Sequence, residues 1–296
     1  MFIIKHRNIF ISISAALVVA SIVFISFFGL NLGIDFKGGS LIEVEYKNIR
    51  PENSVLQEKI ATADFSSVLL QPTGEKGLIV KTLELTNEKK DELIGVLSSD
   101  GNDLIEKSFT SIGPSIGKEL RKKSIISIIL VSLGIVLFIA YAFRKVSKPI
   151  SSWKYGLMAI VSLLHDIIIP TGVFAVLSHY YGVEVDTLFV VALLTILGLS
   201  VSDTIVVFDR IRENIRLEGG KQFKDIVGHS LSQVFSRSIN TSLTVILALL
   251  ALVFFGPEST RYFAITLTVG MFFGTYSSIF LASPLLVKME EWQNKK

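Results

Sequence analysis

Apolar residues gather in six long runs, at about 9–30, 124–143, 153–178, 186–208, 232–256 and 262–287. Each run is long enough to cross the hydrocarbon core, about 30 Å or roughly 20 helical residues. Between the first two runs the period changes. Ser40–Tyr46 (SLIEVEY) alternates as a half-buried strand does. Pro51 fits a first helical turn, ahead of an apolar face of Val55, Ile60 and Ala61. Val68–Gln71 and Leu78–Leu83 predict strands around a turn at Pro72–Gly77. Asn87 is a candidate cap for a helix whose Leu93, Val96 and Leu97 share a face, and Leu104–Ile112 predicts a last strand. The order βαββαβ is the split-βαβ, ferredoxin-like plan.

The pattern therefore predicts an α-helical membrane protein with six transmembrane helices and one α+β ferredoxin-like domain between helices 1 and 2. The expected divisions are 1–30 (tail and helix 1), 31–123 (the α+β domain), 124–290 (helices 2–6) and 291–296 (tail). Composition agrees, since 50% of the residues are hydrophobic and only 19% charged. A net charge of +3 is too small to argue for nucleic acid. The absence of cysteine excludes disulfides, thiolate metal sites and thiol nucleophiles, and four His without an HExxH pattern argue against a zinc hydrolase.

Charge placement sets the expected orientation. The first apolar run follows Lys5, His6 and Arg7 as a signal peptide would, yet it is longer than a signal core and lacks a small-x-small cleavage site. It reads as an uncleaved anchor. Arg144, Lys145, Lys148 and Lys154 fall between runs two and three. Arg210, Arg212, Arg216, Lys221 and Lys224 fall between runs four and five, and Lys288, Lys295 and Lys296 close the chain. The opposite loops carry only Arg261. Both termini and the basic loops are thus expected on the cytoplasmic side of the membrane, and the α+β domain outside it.

Ionisable side chains inside hydrocarbon are costly, so each is a candidate functional residue. They are His165 and Asp166 in span three, Asp203 in span four and Arg237 in span five. At 1.5 Å per residue, Asp203 and Arg237 lie roughly 8 Å from the cytoplasmic ends of antiparallel spans, where the two charges would meet; Asp166 lies roughly 20 Å in. Asp203 is the expected proton carrier, because burial and an adjacent cation act on its proton affinity in opposite senses. Arg237 suits the partner role because it stays charged. A static ion pair that fixes helix register is the alternative. Arg237, Asn240, Thr241 and Thr244 share one face of span five, and Ser200 with Asp203 forms a matching edge on span four. These groups read either as a hydrated proton path or as interhelical hydrogen bonding. His165 and Asp166, being adjacent, are expected to point apart and to play a supporting part. Pro170 removes the amide that would bond the carbonyl of Asp166. Gly270 and Gly274 form a GxxxG packing motif, followed by Thr275, Ser277 and Ser278.

The same residues carry a family pattern. LGIDFKGG (32–39), GPSIGKEL (113–120), HDIIIPTGVFAV (165–176), SDTIVVFDRIREN (202–214), SRSINTSLT (236–244) and VGMFFGTYSSIFLASPLL (269–286) together resemble the SecD and SecF family of protein-export membrane proteins, in its SecF branch. The resemblance implies the resistance–nodulation–division architecture and a role in protein export driven by the proton-motive force. It also implies a SecD partner, the SecYEG channel and unfolded exported polypeptide as partners, with no cofactor beyond the proton gradient and sodium as the other possible ion. It makes Asp203 and Arg237 the proton-pathway pair. Pro257 and Lys37 depart from the family's usual Gly and Thr. A small-molecule exporter of the same architecture, an intramembrane aspartyl protease using Asp166 and Asp203, and a scaffold are the competing readings.

Overall fold

The computed structural model describes residues 2–63, 65, 68–98, 103–143, 150–218 and 220–294. In chain order the elements are α1 (Phe2–Lys5), α2 (Arg7–Phe28), α3 (Ile34–Lys37), β1 (Gly39–Tyr46), α4 (Asn53–Thr62), β2 (Leu69–Thr73), β3 (Gly77–Thr82) and α5 (Asn87–Leu97). They continue with β4 (Leu104–Ile112), α6 (Pro114–Ala142), α7 (Ser152–Tyr181), α8 (Thr187–Leu217), α9 (Phe223–Phe255), α10 (Glu258–Ser277), a π-helical turn over Ser278–Ala282, and α11 (Ser283–Asn294). Two compact units result, residues 1–31 with 126–296, and residues 32–125.

Six helical stretches among the described residues are long and apolar enough to cross a membrane: α2, α6, α7, α8, α9 and the run Glu258–Asn294. Several outlast the apolar runs that announce them. α6 begins at Pro114 rather than 124, and α8 continues to Leu217 rather than 208. The added turns, KELRKK and DRIRENIRL, are built from strong helix formers that hydropathy does not register. Arg144, Lys145, Lys148, Lys295 and Lys296, on which the expected orientation partly rests, lie outside the described residues.

The first unit is centred on α7, α8, α10 and the π-helical turn, whose buried side chains include Leu163, Leu197, Val207 and Ile279. Phe143, Tyr155 and Phe208 stack at one end of it, with centroids 5.5 Å and 5.4 Å from the Tyr155 ring, and the Arg212 guanidinium lies over Phe143 at 6.0 Å. α2 runs parallel to α7: Phe28 stacks on His179 at 4.5 Å, and Gly172 makes room for Ser21. Arg7 grips both carboxylate oxygens of Glu291, at 2.6 and 2.8 Å, fastening the start of α2 to α11. α6 and α9 turn apolar side chains outward, among them Ile129, Leu133 and Leu137 on α6 and Leu243, Leu247 and Phe254 on α9.

In the second unit the strands lie in the order β2-β3-β1-β4, all neighbours antiparallel. Alternation in β1 sends Ile42, Val44 and Tyr46 to one face, where they meet Leu78 and Val80 of β3, Leu56 and Ile60 of α4, and Leu93 and Leu97 of α5. Local corrections to the sequence reading follow from this core. Pro51 precedes α4, whose N-cap position is Glu52, and the buried face of α4 is Leu56 with Ile60, leaving Val55 and Ala61 exposed. Thr86, not Asn87, caps α5, its hydroxyl accepting from the Lys89 amide. Pro72 lies inside β2, an edge strand, where a missing amide costs least.

Candidate functional site

Asp166 on α7 is wholly buried and His165 is 2% exposed. Adjacent helical positions diverge at Cβ, yet the imidazole reaches across: His165 Nδ1 lies 2.8 Å from Asp166 Oδ1. The expectation that the two side chains point apart is thereby overturned. Asp166 Oδ2 accepts from Ser200 Oγ of α8 in a short hydrogen bond, and from Ser277 Oγ of α10 at 2.8 Å. Ser162 Oγ of α7 in turn donates to Ser277 Oγ at 2.9 Å. One carboxylate thus gathers three helices, and donors from all of them meet the demand that a buried carboxylate be hydrogen-bonded.

Asp203, partly buried on α8, anchors a second set of contacts. Its Oδ2 accepts from Thr275 Oγ1 of α10 at 3.1 Å, and Thr275 is joined by a short hydrogen bond to Ser242 of α9. Beside it Thr204 Oγ1 lies 2.8 Å from Ser278 Oγ. Ser200 precedes Asp203 by three residues, so the two carboxylate networks sit about 4.5 Å apart along α8. That is one turn, rather than the two counted from the span ends. Among the described residues the two carboxylates share no hydrogen-bond partner.

The glycines explain how α10 comes so close. A Cβ on Gly270 would strike Ile196, and one on Gly274 would sit 3.1 Å from Ser200 Cβ, so the GxxxG face of α10 lies directly against α8. Immediately after it the π-helical turn, with Ser283 Oγ bonded to Ser278 O at 3.1 Å, re-aims the chain beside both networks.

The stripe on span five is placed differently. Arg237, Asn240, Thr241 and Thr244 are all exposed, while Ser238 and Ser242 lie on the buried face of α9. Thr244 Oγ1 bonds its own helix, at Asn240 O. Arg237 forms no ion pair with a described residue, and Asp203 takes its hydrogen bond from Thr275 instead. Arg237 and Asp203 are thus not joined as the sequence count had them. The reason is packing: the small Ser238 and Ser242 let α9 approach α10, which turns the guanidinium outward. Ser162 and Ser242 were not singled out from the sequence. The i, i+4 spacing of Ser238 and Ser242 was the available signal for a packing face. Among the described residues no three His, Asp or Glu side chains come together as a metal ion would require.

The fold and site define a multi-pass membrane protein that buries ionisable side chains among its helices and carries one small α/β unit between its first two spans. The family described as "Protein export membrane protein SecD/SecF, C-terminal" matches residues 94–292, and the "SecD/SecF GG Motif" matches residues 23–48. The chain is 42% identical to the protein translocase subunit SecF of Thermobaculum terrenum, over 99% of this chain and 94% of the relative. It is 37% identical to that of Anaerolinea thermophila, over 99% and 96%. The crystal structure of SecDF, a translocon-associated membrane protein, from Thermus thermophilus aligns with 98% of this chain at a TM-score of 0.83 and 31% identity. This chain covers 38% of that one. The chain belongs to the SecF family of protein-export membrane proteins.

Proposed function

We propose that the chain is the SecF-type subunit of a Sec protein translocase, and that it works with SecD to use the proton-motive force in exporting unfolded polypeptide through the SecYEG channel. In this reading both termini face the cytoplasm, the four-stranded unit is a ferredoxin-like domain outside the membrane, and the chain performs no enzymatic reaction. The observation that carries it is Asp203, partly buried between α8, α9 and α10, beside a face of α9 where Arg237 and Asn240 are exposed among the described residues. Such groups are too costly to leave in lipid, and they suit a watered cleft or a partner's helices. SecD is the natural cover, since this sequence aligns with only 38% of the longer SecDF chain. Proton uptake at Asp203 would weaken its attraction to Arg237 and to Thr275, and so shift the fit of α8 to α9 and α10. Motion of the exported domain would then follow from rearrangement of the bundle.

Asp203→Asn keeps the shape of the side chain and removes its titration. In cells lacking other copies, export should lose its dependence on the proton gradient while the variant still accumulates and co-purifies with SecD. Export at the wild-type rate with full gradient dependence would overturn the reading.

A further inference from the structure

Four buried polar atoms of the first unit have no hydrogen-bond partner among the described residues: besides Arg7 Nε and Tyr155 Oη, they include two on helices packed against each other, His165 Nε2 on α7 and Ser14 Oγ on α2. His165 and Ser14 are 2% and 1% exposed. Buried groups of this kind are rare and call for a physical reason. The two are neighbours by helix register. Phe28 meets His179, and Ser21 meets Gly172, contacts spaced by seven residues on both parallel helices. Seven residues make about two turns and return to nearly the same face. One more step of seven sets Ser14 beside His165.

The other end of the imidazole fixes its chemistry. An ionised carboxylate only accepts hydrogen bonds, so with Asp166 ionised the ring donates through Nδ1 and its lone pair sits on Nε2, the atom without a partner. Ser200 and Ser277 hold the other carboxylate oxygen in place. Uptake of one proton at Nε2 forms an imidazolium beside the carboxylate, so the dyad passes from one negative charge to none. A paired or neutral dyad is the form that hydrocarbon surroundings tolerate. Release reverses the step: the Nε2 proton leaves and the negative charge returns. Alternatively the Nδ1 proton moves to Asp166 Oδ1, leaving a neutral acid beside a neutral ring that keeps its proton on Nε2.

We propose that His165 and Asp166 form a second proton-binding station in the bundle, and that Ser14 of α2 is the hydroxyl through which His165 Nε2 gives and takes its proton. A turn of the Ser14 hydroxyl, or one bridging water, joins the two atoms. The ionisable groups facing the dyad are few. α10 brings Tyr276, stacked on the imidazole at 6.1 Å, and α8 brings Asp203, one turn past Ser200. α2 has no ionisable side chain between Asn8 and Phe28. The charges of α11, Lys288, Glu290 and Glu291, belong to the Lys154 end of α7, about three turns from His165. The station's place in a transport cycle rests on the function proposed above; its proton binding does not.

The test is nitrogen NMR of the full chain, labelled at its four histidines, in lipid nanodiscs, with His165→Gln to assign the signal. His165 should show protonated Nδ1 and bare Nε2 at high pH, and a doubly protonated ring at low pH. Asp166→Asn should shift that titration. Ser14→Ala should slow proton exchange at Nε2 about tenfold, the loss of one hydrogen bond to a charged group, and Ser14→Thr should restore it. If His165 keeps one form wherever the chain stays folded, or if the variants lower thermal stability without moving its titration or exchange, the dyad is a structural clasp and the proposal fails. A silent His165 with a gradient-dependent Asp203 removes only the station. A titrating His165 with Asp203→Asn fully active removes only the proposed coupling.

Discussion

Replacing Gly172 by Ala tests whether α2 is seated on α7 as tightly as the structure has it. A Cβ at Gly172 would lie 2.5 Å from Ser21 Cβ, 2.7 Å from its Cα and 2.8 Å from its Oγ. Carbon atoms rest at about 3.5–4.0 Å, so α2 would have to retreat by about 1 Å. Two of the three obstructing atoms are the backbone Cα and the Cβ fixed to it, so no rotamer change relieves the clash. Overpacking of this kind costs about 1–3 kcal/mol, while exchanging Gly for Ala in a helix returns about 1 kcal/mol. Gly198→Ala on α8 supplies the reference, because nothing lies within 4 Å of its Cβ position and only the propensity gain applies. The difference between the two variants isolates the packing cost, and Gly172→Ala should be the less stable by about 1–3 kcal/mol. Reversible unfolding of the full chain in detergent, followed by circular dichroism, measures it. Equal stability of the two variants would refute the close approach of α2 and α7, and with it the register that sets Ser14 beside His165.

Two further outcomes concern the four-stranded unit. Tyr46 is 2% exposed and donates to Leu97 O at 3.3 Å, and burial pushes its hydroxyl from the ordinary 10.0 up to about 12. The folded state therefore holds this proton more tightly than the unfolded chain does, so its contribution is complete below about pH 10 and declines between there and 12. Tyr46→Phe should flatten that alkaline decline in the hydrogen exchange of β1 amides, at a cost of about 1 kcal/mol near neutrality; an unchanged alkaline limb would count against the buried hydroxyl. Glu45 and Lys107 form an exposed pair at 2.7 Å, and the Lys107 hydrogen bond and charge hold Glu45 below its ordinary 4.5. The pair should steady the β1–β4 ladder above pH 4.5 and release it as pH falls through the lower folded value, an effect that salt weakens and Glu45→Gln removes. Acid-limb exchange identical in the variant would show that the pair contributes nothing.

Much of this protein is written locally in its chain. The number of spans follows from the length of each apolar run, because a bilayer has one thickness and a helix one rise per residue. The βαββαβ order follows from the alternation of SLIEVEY and the spacing of Leu93 and Leu97, since a strand repeats every second residue and a helix every three to four. Gly270 and Gly274 announced a close contact, and the structure supplies the other side of it, Ile196 and Ser200. The identity of the polar residues was equally visible: His165, Asp166, Ser200 and Asp203 all stood out because hydrocarbon makes them expensive. Their partners were not visible. Depth along a span is a count of residues, but rotation about the helix axis is settled by which neighbour packs where. That rotation carried Arg237, Asn240, Thr241 and Thr244 outward, brought Ser242 and Thr275 to Asp203, and tied Asp166 to Ser277, 111 residues away in the chain. It also seated α2 on α7 through Ser21 and Gly172, a contact that neither residue announced. The sequence by itself determined which residues the membrane must accommodate; the tertiary packing decided which of them meet.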